Sequence, residues 1–302
     1  MTADDKQHEP SLRVEGRIVA GHGRRHRVEL ADGAMLDCMV RGRRRDIVCG
    51  DHVSLVPDGS GRGVIEDVAQ RATLLYRSDA RREKLIAANV TQIAVVVAPL
   101  PPFNEDLVNR CLAAAEHGSM KALIVLNKSD LAESAGARDA LALYEKLGYR
   151  VIAISAKRDV TPLRHALAGE VSVLVGQSGM GKSTIINRLV PDAAARTAGI
   201  STALGSGRHT TTHAELYHLG AASDIIDSPG LQVFGLHHLS IDDAAHAFVE
   251  FREQLGRCRF RDCRHLDEPG CAIAVACAAG KVASGRLASY RKIARELLGS
   301  ER

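Results

Sequence analysis

Apolar and polar positions follow two different textures along this chain, and the change between them marks its organisation. From Leu12 to Val68 the apolar residues fall in short alternating runs, Leu12–Ala20, Arg25–Leu30, Ala34–Val40, His52–Val56 and Gly63–Val68, broken by Gly, Asp and Arg. A period of two is that of a half-buried strand, and five such strands in fewer than 60 residues predict a small closed barrel. Residues 71–88 read as a basic connector. From Asn89 the texture becomes near-continuous apolar runs at Val95–Ala98, Ala122–Leu126, Val151–Ile154 and Val171–Val175, the pattern of buried parallel strands separated by amphipathic helices. The first helix is predicted to start from Asn104 as N-cap, with Leu107, Val108, Cys111, Leu112 and Ala115 on one face. Such alternation predicts an α/β sheet that holds ligands at the carboxyl ends of its strands. After Leu239 the sequence turns helical and rich in Arg, Cys and His, ending in a helix over Ser284–Leu298. The resulting plan is α/β and multidomain: a disordered N-terminus over 1–11, a barrel over 12–72, an α/β domain over 73–238 and a helical, metal-binding module over 239–302.

Composition narrows the classes. The 302 residues are 45% hydrophobic and 25% charged, which suits a globular chain with cores and excludes a disordered or fibrous one. Net charge is only +4, so any affinity for nucleic acid rests on where the positive charge sits. Residues 11–50 carry nine Arg against five acids, with Arg24, Arg25 and Arg27 and then Arg41, Arg43, Arg44 and Arg45 between the strands. That placement suits tracking of a phosphate backbone, while the lack of aromatics there argues against base reading by the barrel. Met1 to Pro10 shows no apolar stretch behind a basic start, and the apolar runs Ile93–Leu100 and Ala272–Ala279 are far too short to span a bilayer. A cytoplasmic protein without a membrane partner is expected, and the lack of a long heptad pattern points to a monomer.

Directly after the strand Val171–Val175 stand Gly176, Gln177, Ser178, Gly179, Met180, Gly181, Lys182, Ser183 and Thr184, followed by the helical run Ile185, Ile186, Leu189. This is the P-loop pattern in its strand-to-helix context. The glycines let successive N–H groups turn toward phosphates, Lys182 reaches the β- and γ-phosphates, and the Ser183 hydroxyl ligates Mg²⁺. Further on, Ile225-Ile226-Asp227-Ser228-Pro229-Gly230 is a short strand ending in Asp-x-x-Gly. Asp227 is placed to hold Mg²⁺ through water and the Gly230 N–H to sense the γ-phosphate. Between these motifs lies Gly207-Arg208-His209-Thr210-Thr211-Thr212-His213, where Thr211 or Thr212 completes the Mg²⁺ shell, Thr211 being taken as the candidate.

Base recognition falls to Asn127, Lys128, Ser129 and Asp130 at the end of the strand Ala122–Leu126. Guanine offers two donors, N1–H and N2–H₂, on one edge, and the Asp130 carboxylate accepts both; adenine cannot satisfy it. Asn127 is expected to bond the base edge and to tie its loop to the P-loop, and the Lys128 stem to pack along the ring. Ser155, Ala156 and Lys157, again at a strand end, fit the loop whose backbone N–H meets the guanine O6. The base-reading motifs precede the P-loop, an order that a circular permutation of a GTPase sheet produces. The residue after Asp-x-x-Gly, where many GTPases carry a Gln that orients the attacking water, is Leu231. Slow intrinsic hydrolysis is therefore expected, with a partner or a repositioned side chain completing the site and His209 as a candidate.

Seven cysteines are present, and Cys38, Cys49, Cys111 and Cys277 are scattered. The others form Cys258-x₄-Cys263-x-His265-x₅-Cys271, three thiolates and one imidazole within 14 residues and bounded by Arg257, Arg259, Arg261 and Arg264. That is the donor set of a closed, structural Zn²⁺ site, with Cys277 as the rival ligand.

These motifs together resemble the bacterial ribosome small subunit-dependent GTPase A family, circularly permuted GTPases of small-subunit biogenesis, over residues 12–298. The resemblance implies an N-terminal OB-fold that contacts ribosomal RNA, a central GTPase activated by the small (30S) subunit, and a C-terminal zinc module with Cys258, Cys263, His265 and Cys271 as ligands. The chain departs from the family pattern at Leu231-Gln232-Val233-Phe234, where an Arg and an acidic residue are expected after the variable position. The function expected is a GTPase that assists late maturation of the small subunit, hydrolysing GTP to GDP and phosphate. The alternatives are a GTP-gated RNA-binding regulatory module whose hydrolysis is incidental, and a metabolite-coupled P-loop ATPase, against which Asp130 argues.

Overall fold

The computed structural model describes residues 13–300 apart from 43, 45, 80–81, 192–213, 221 and 229–235. The alternating runs become β1 (Val14–His22), β2 (Arg25–Leu30), β3 (Met35–Val40), β4 (His52–Pro57) and β5 (Arg62–Val68). β1 pairs antiparallel with β2 and β4, β2 with β3 and β4 with β5, while β3 and β5 run parallel, which closes a five-stranded barrel. Its inward positions, Ile18, Val28, Leu36, Cys38, Val53, Leu55 and Ile65, form a separate core. Part of the barrel's basic charge is neutralised: Arg13 and Arg41 pair with Glu66, and Arg44 pairs with Asp46 and Asp67. Arg24, Arg25 and Arg27 are exposed.

Residues 71–88 are more than a connector. β6 (Leu74–Asp79) and β7 (Arg82–Ala88) form an antiparallel hairpin whose base is apolar, with Leu75, Ile86 and Ala87 buried in the main core. The apolar positions are few and cluster at the strand ends nearest the body of the protein, so the charged remainder dominates the sequence pattern.

The α/β sheet contains β8 (Gln92–Val97), β9 (Lys121–Leu126), β10 (Arg150–Ala153), β11 (Val171–Val175), β12 (Glu215–Gly220) and β13 (Ser223–Asp227) in the spatial order β10-β9-β8-β11-β13-β12. All are parallel to their neighbours except β12. The helices are α1 (Glu105–His117), α2 (Ser134–Lys146), α3 (Thr161–Ala166) and α4 (Lys182–Leu189). Asn104 caps α1 as its sequence position predicts, its side chain accepting from the Asp106 N–H at 2.9 Å. The chain enters the sheet at β8, runs to one edge at β10, returns to the centre at β11 and proceeds to the other edge. Rejoining the ends between β13 and β8 would give an order that starts at β11, which is the signature of a circular permutation.

Beyond the sheet lie α5 (Ile241–His246), a 3₁₀ turn over Val249–Phe251, α6 (Ala272–Ala278) and α7 (Ser284–Ser300). These elements share a core with α1 through Phe248, Phe251 and Tyr290. The buried Arg286 forks onto Glu250 at 2.6 and 2.9 Å, lies over the Phe248 ring and donates to Asn109 Oδ1 of α1 at 3.0 Å. Removing one partner of such a buried pair costs about 3–5 kcal/mol, so the C-terminal helices ride on α1 as one packed unit. Among the described residues no helix is long and apolar enough to cross a membrane.

The barrel joins the sheet at β12. Ala20 of β1 pairs with Glu215, and beside this bridge Arg17 meets Asp224 at 2.5 Å while His218 spans Asp224 (Nδ1, 2.6 Å) and Glu29 (Nε2, 2.8 Å). Partial burial of His218 opposes its charge, but hydrogen bonds to Asp224 and Glu29 outweigh burial and raise its pKa above 6.5. A raised histidine stabilises the fold fully below its unfolded value and loses that contribution as pH climbs through the folded value. His218→Gln is therefore expected to lower stability by about 0.5–1 kcal/mol below pH ~6.5 and by progressively less as the pH rises, measured by paired urea titrations of both proteins. A difference that grows with pH would contradict the assignment.

Candidate functional site

Strand β11 is buried on both faces, and its end opens into the loop 176–181, which requires glycine where the backbone comes closest to other elements. A Cβ at Gly176 would lie 2.3 Å from the Val96 carbonyl oxygen, and one at Gly181, whose φ is +93°, would lie 2.3 Å from Asn127 Nδ2. Met180 turns inward and is buried in the second core beneath the sheet, anchoring the loop. Gln177 Oε1 accepts from the Asn104 N–H at 2.7 Å and links the loop to the start of α1. Gly181 is the N-cap of α4 without a side-chain cap, and Ser183 and Thr184 are exposed in its first turn. The uncapped N–H groups and the helix dipole make this turn an anion site.

Asn127 is 2% exposed and joins three motifs. Its Nδ2 donates to the Met180 carbonyl at 2.9 Å, its Oδ1 accepts from the Ala156 N–H at 3.0 Å, and its own N–H donates to Val97 O at 2.8 Å. The expected tie to the P-loop is thus formed, and the amide's bonds within the protein leave one Nδ2 hydrogen for a ligand. Lys128, with φ +59°, sends Nζ to the carbonyls of Leu100 and Gly179 at 2.6 and 2.7 Å, which lays its stem along the cleft wall. The Ser129 N–H bonds Ile154 O at 3.0 Å and holds this loop against the one beginning at Ser155. Asp130 is exposed at the rim, and the nearby Ser155 hydroxyl favours its charge without closing a formed hydrogen bond, holding the carboxyl below its ordinary value.

These groups line one cleft of about 280 Å³ bounded by Leu100, Asn127, Lys128, Asp130, Leu131, Ser155, Ala156, Lys157, Gly181 and Thr184. Leu100 and Leu131 supply apolar walls that the motif reading did not single out. Their signal is positional, since one follows the apolar run of β8 and the other follows Asp130. At the phosphate end Lys182 Nζ donates to the carbonyls of Gly176 and Gln177, the latter at 2.8 Å. Burial depresses the Lys182 pKa against the pull of Asp227; burial likewise raises that of Asp227 against the pull of Lys182, and Glu215 adds to the rise. Glu215 stands opposite Asp227 in the β12–β13 register. A partly buried carboxylate with a second acid opposite it in register is oxygen chemistry of the kind a hard divalent cation takes, and the Ser183 hydroxyl is exposed at the start of α4. His209, Thr211, Gly230 and Leu231 lie outside the described residues.

A second cluster sits in the loops before α6. The donor atoms of Cys258, Cys263, His265 and Cys271 lie within 4.8 Å of one another, and Cys277 is outside the group. His265, at φ +60°, aims Nδ1 at the three sulfurs at 3.4, 3.6 and 3.5 Å. A tetrahedral ion with Zn–S of ~2.3 Å and Zn–N of ~2.05 Å sets S···N at about 3.6 Å, so the four donors fit such an ion. The Glu268 carboxylate accepts from the N–H groups of Arg264 and Leu266 at 3.0 and 2.9 Å, and the Ala272 N–H points at Cys258 Sγ at 3.3 Å. From α7, the Tyr290 hydroxyl donates to Arg264 O at 2.8 Å, which braces the knuckle on the helical unit.

Comparison with known proteins agrees with this geometry. The family model described as RsgA GTPase matches residues 68–237. The chain is 53% identical to the small ribosomal subunit biogenesis GTPase RsgA of Nitrosospira multiformis, over 95% of this chain and 92% of the relative. It is 49% identical to the protein of the same name from Nitrosomonas europaea, over 98% and 95%. Among solved structures, YjeQ from Thermotoga maritima aligns with a TM-score of 0.73 at 31% identity, covering 95% of this chain and 99% of that one. YloQ, a circularly permuted GTPase, aligns with a TM-score of 0.69 at 24% identity over 97% and 98%, a likeness of fold.

Two outcomes follow from the site geometry. Gly181→Ala, which forces a Cβ against Asn127 at a positive φ, is expected to weaken guanine nucleotide binding at least about tenfold in a fluorescence titration, at a stability cost of about 1–3 kcal/mol. Elemental analysis of purified protein should find about one equivalent of metal per chain, lost in Cys271→Ser and retained in Cys277→Ser.

Proposed function

The chain belongs to the RsgA GTPase family and is a GTP hydrolase, and on that premise we propose that it acts on the small ribosomal subunit during late maturation. The reading of the site is that guanine occupies the cleft between Lys128 and Leu100, with Asp130 accepting its N1–H and N2–H₂ and the loop Ser155-Ala156-Lys157 edging O6. Ser129 supports that loop pair. The triphosphate follows the N–H groups of Gly176 to Thr184 toward the first turn of α4. Lys182 exchanges the Gly176 and Gln177 carbonyls for β- and γ-phosphate oxygens, gaining charge-assisted bonds that offset its desolvation. The single observation that carries this reading is the Asn127 amide, which draws the base loop, the phosphate loop and the Ser155 loop into one cleft.

Mg²⁺ held by Ser183 and Thr211, with Asp227 acting through water, would neutralise phosphate charge when bound with GTP. Gly230 is assigned to sense the γ-phosphate. Leu231 in place of a water-orienting amide makes intrinsic hydrolysis slow, and His209 is the side chain that docking on the subunit brings into place. The Cys258, Cys263, His265 and Cys271 site is assigned one structural Zn²⁺, on the strength of its sulfur-rich donor set and spacing. The barrel, with its 1-2-3-5-4 strand order and exposed Arg24, Arg25 and Arg27, is read as an OB-fold whose basic face follows the backbone of ribosomal RNA. The domain limits 12–72, 73–238 and 239–302 go with this reading, as do a monomeric state and a cytoplasmic location. GTP favours the bound conformation and hydrolysis to GDP releases it.

The test is the steady-state rate of GTP hydrolysis by the protein alone, with small subunits and with large subunits. Acceleration confined to the small subunit, of about 10²-fold or more on the scale that a completed GTPase site supplies, is the expected result. Equal rates in all three would leave a nucleotide-gated binding module. Asp130→Asn is expected to weaken GTP about 100-fold, with ATP use unimproved, in the same assay.

A further inference from the structure

The knuckle that carries the metal ligands also presents an aromatic ring to water. Aromatic residues make up 3% of the chain and Trp is absent, so the few rings are valuable core material. Phe248 and Phe251 are buried, yet Phe260, between the ligands Cys258 and Cys263, is 42% exposed. The backbone that carries it is tied down. The Cys263 N–H reaches the Phe260 carbonyl, and the Arg259 N–H donates to Gly270 O at 3.1 Å, closing the loop onto the segment that delivers Cys271. A Cβ at Gly270 would lie 2.9 Å from Arg259 Cβ, so this close pairing needs the glycine. The Arg259 guanidinium lies 5.5 Å from the ring centroid, and Arg257, Arg261 and Arg264, all within four residues of it in sequence, are exposed. Among the described residues none of these four guanidiniums pairs with a carboxylate, whereas the nearby Asp267 is taken by Arg291 and Arg295, and Glu268 by backbone N–H groups. Asp262 contributes one opposing exposed charge.

We propose that Phe260 is a stacking platform for one unpaired RNA base, with Arg257, Arg259 and Arg261 holding the flanking phosphates. The inference rests on the reading of this protein as a ribosomal-RNA-binding GTPase and names the element of RNA that the knuckle takes. A base inside an A-form helix has both faces covered by its neighbours, so a rigid exposed ring gains contact only from a base that is unstacked. The charged groups that accompany the ring in sequence are mostly guanidiniums, whose planes stack on bases and whose forks pair with phosphates, so the chemistry fits a nucleic acid. The barrel offers the complementary chemistry, basic strands and turns without an aromatic, which suits backbone contact alone.

The absence of Trp supplies the probe. In the metal-loaded full chain, Phe260→Trp creates a single tryptophan, and its fluorescence is expected to fall saturably on addition of a short single-stranded RNA of mixed sequence and to stay constant with the same sequence as a duplex. Phe260→Leu keeps the apolar bulk and is expected to weaken single-strand binding about tenfold while leaving duplex binding, the salt slope, metal content and basal GTP turnover unchanged. Arg261→Gln should weaken both RNAs and reduce the salt slope by about one. Tryptophan emission that is indifferent to bound single strands, or equal losses for single strand and duplex in Phe260→Leu, overturns the proposal. So does a Phe260→Leu defect seen only with whole small subunits and not with naked RNA, which would assign the ring to a ribosomal protein. Small-subunit stimulation of the unaltered protein is read separately. If it is absent while quenching occurs, the functional reading fails and the platform stands; the reverse result removes the platform alone.

Discussion

The side-chain amide of Asn127 sits at the meeting point of three loops that are far apart in sequence, donating to the Met180 carbonyl and accepting from the Ala156 N–H. A buried amide of this kind is costly to leave unpaired and strongly directional when paired, so it fixes the spacing of the loops that surround it. Gly181 has no Cβ because that amide occupies the space, and Met180 is driven into the core by the same turn. The loop that carries Asp130 and the first turn of α4 are thereby held at one separation.

The permuted chain order gives this cleft an unusual setting. The hairpin β12–β13 stands between the segments 192–213 and 229–235, and the barrel grips it through Ala20, Arg17, Glu29 and His218. On the far side of 229–235 the chain returns at Leu236, and His238 stacks on Tyr76 of the β6–β7 hairpin and meets His117 of α1 edge-on. Burial, with His117 and His237 close by, pushes the His238 pKa down to about 4, so this contact is made by a neutral ring at physiological pH. The chain flanking the segments that carry Thr211 and Gly230 is therefore held by the barrel at β12 and by the β6–β7 hairpin and α1 at His238.

Much of this plan was legible in the sequence because local chemistry dictates it. The barrel strands show the period of two that places Val28, Leu36 and Ile65 inward, and the P-loop glycines announce themselves after the apolar β11. The Cys and His spacing likewise places four donors within 13 residues of one another, close enough in sequence to announce the cluster that the structure brings together. What escaped is what depends on distant partners. β12 contains His218, which makes sense as a strand residue only once Glu29 and Asp224 flank it. The β6–β7 hairpin hides its few apolar residues at one end, and the Arg286, Glu250 and Asn109 network joins positions that no local pattern connects.

On the proposed function, the nucleotide held by the Asn127-centred cleft governs how tightly the modules on either side grip the small subunit. The most direct measurement is the dissociation constant of the protein for small subunits with a non-hydrolysable GTP analogue and with GDP, at one salt concentration. Binding is expected to be about tenfold or more tighter with the analogue, the differential affinity that a population shift requires. Equal affinity in the two states would contradict it, since a ligand that does not distinguish two conformations cannot move the protein between them.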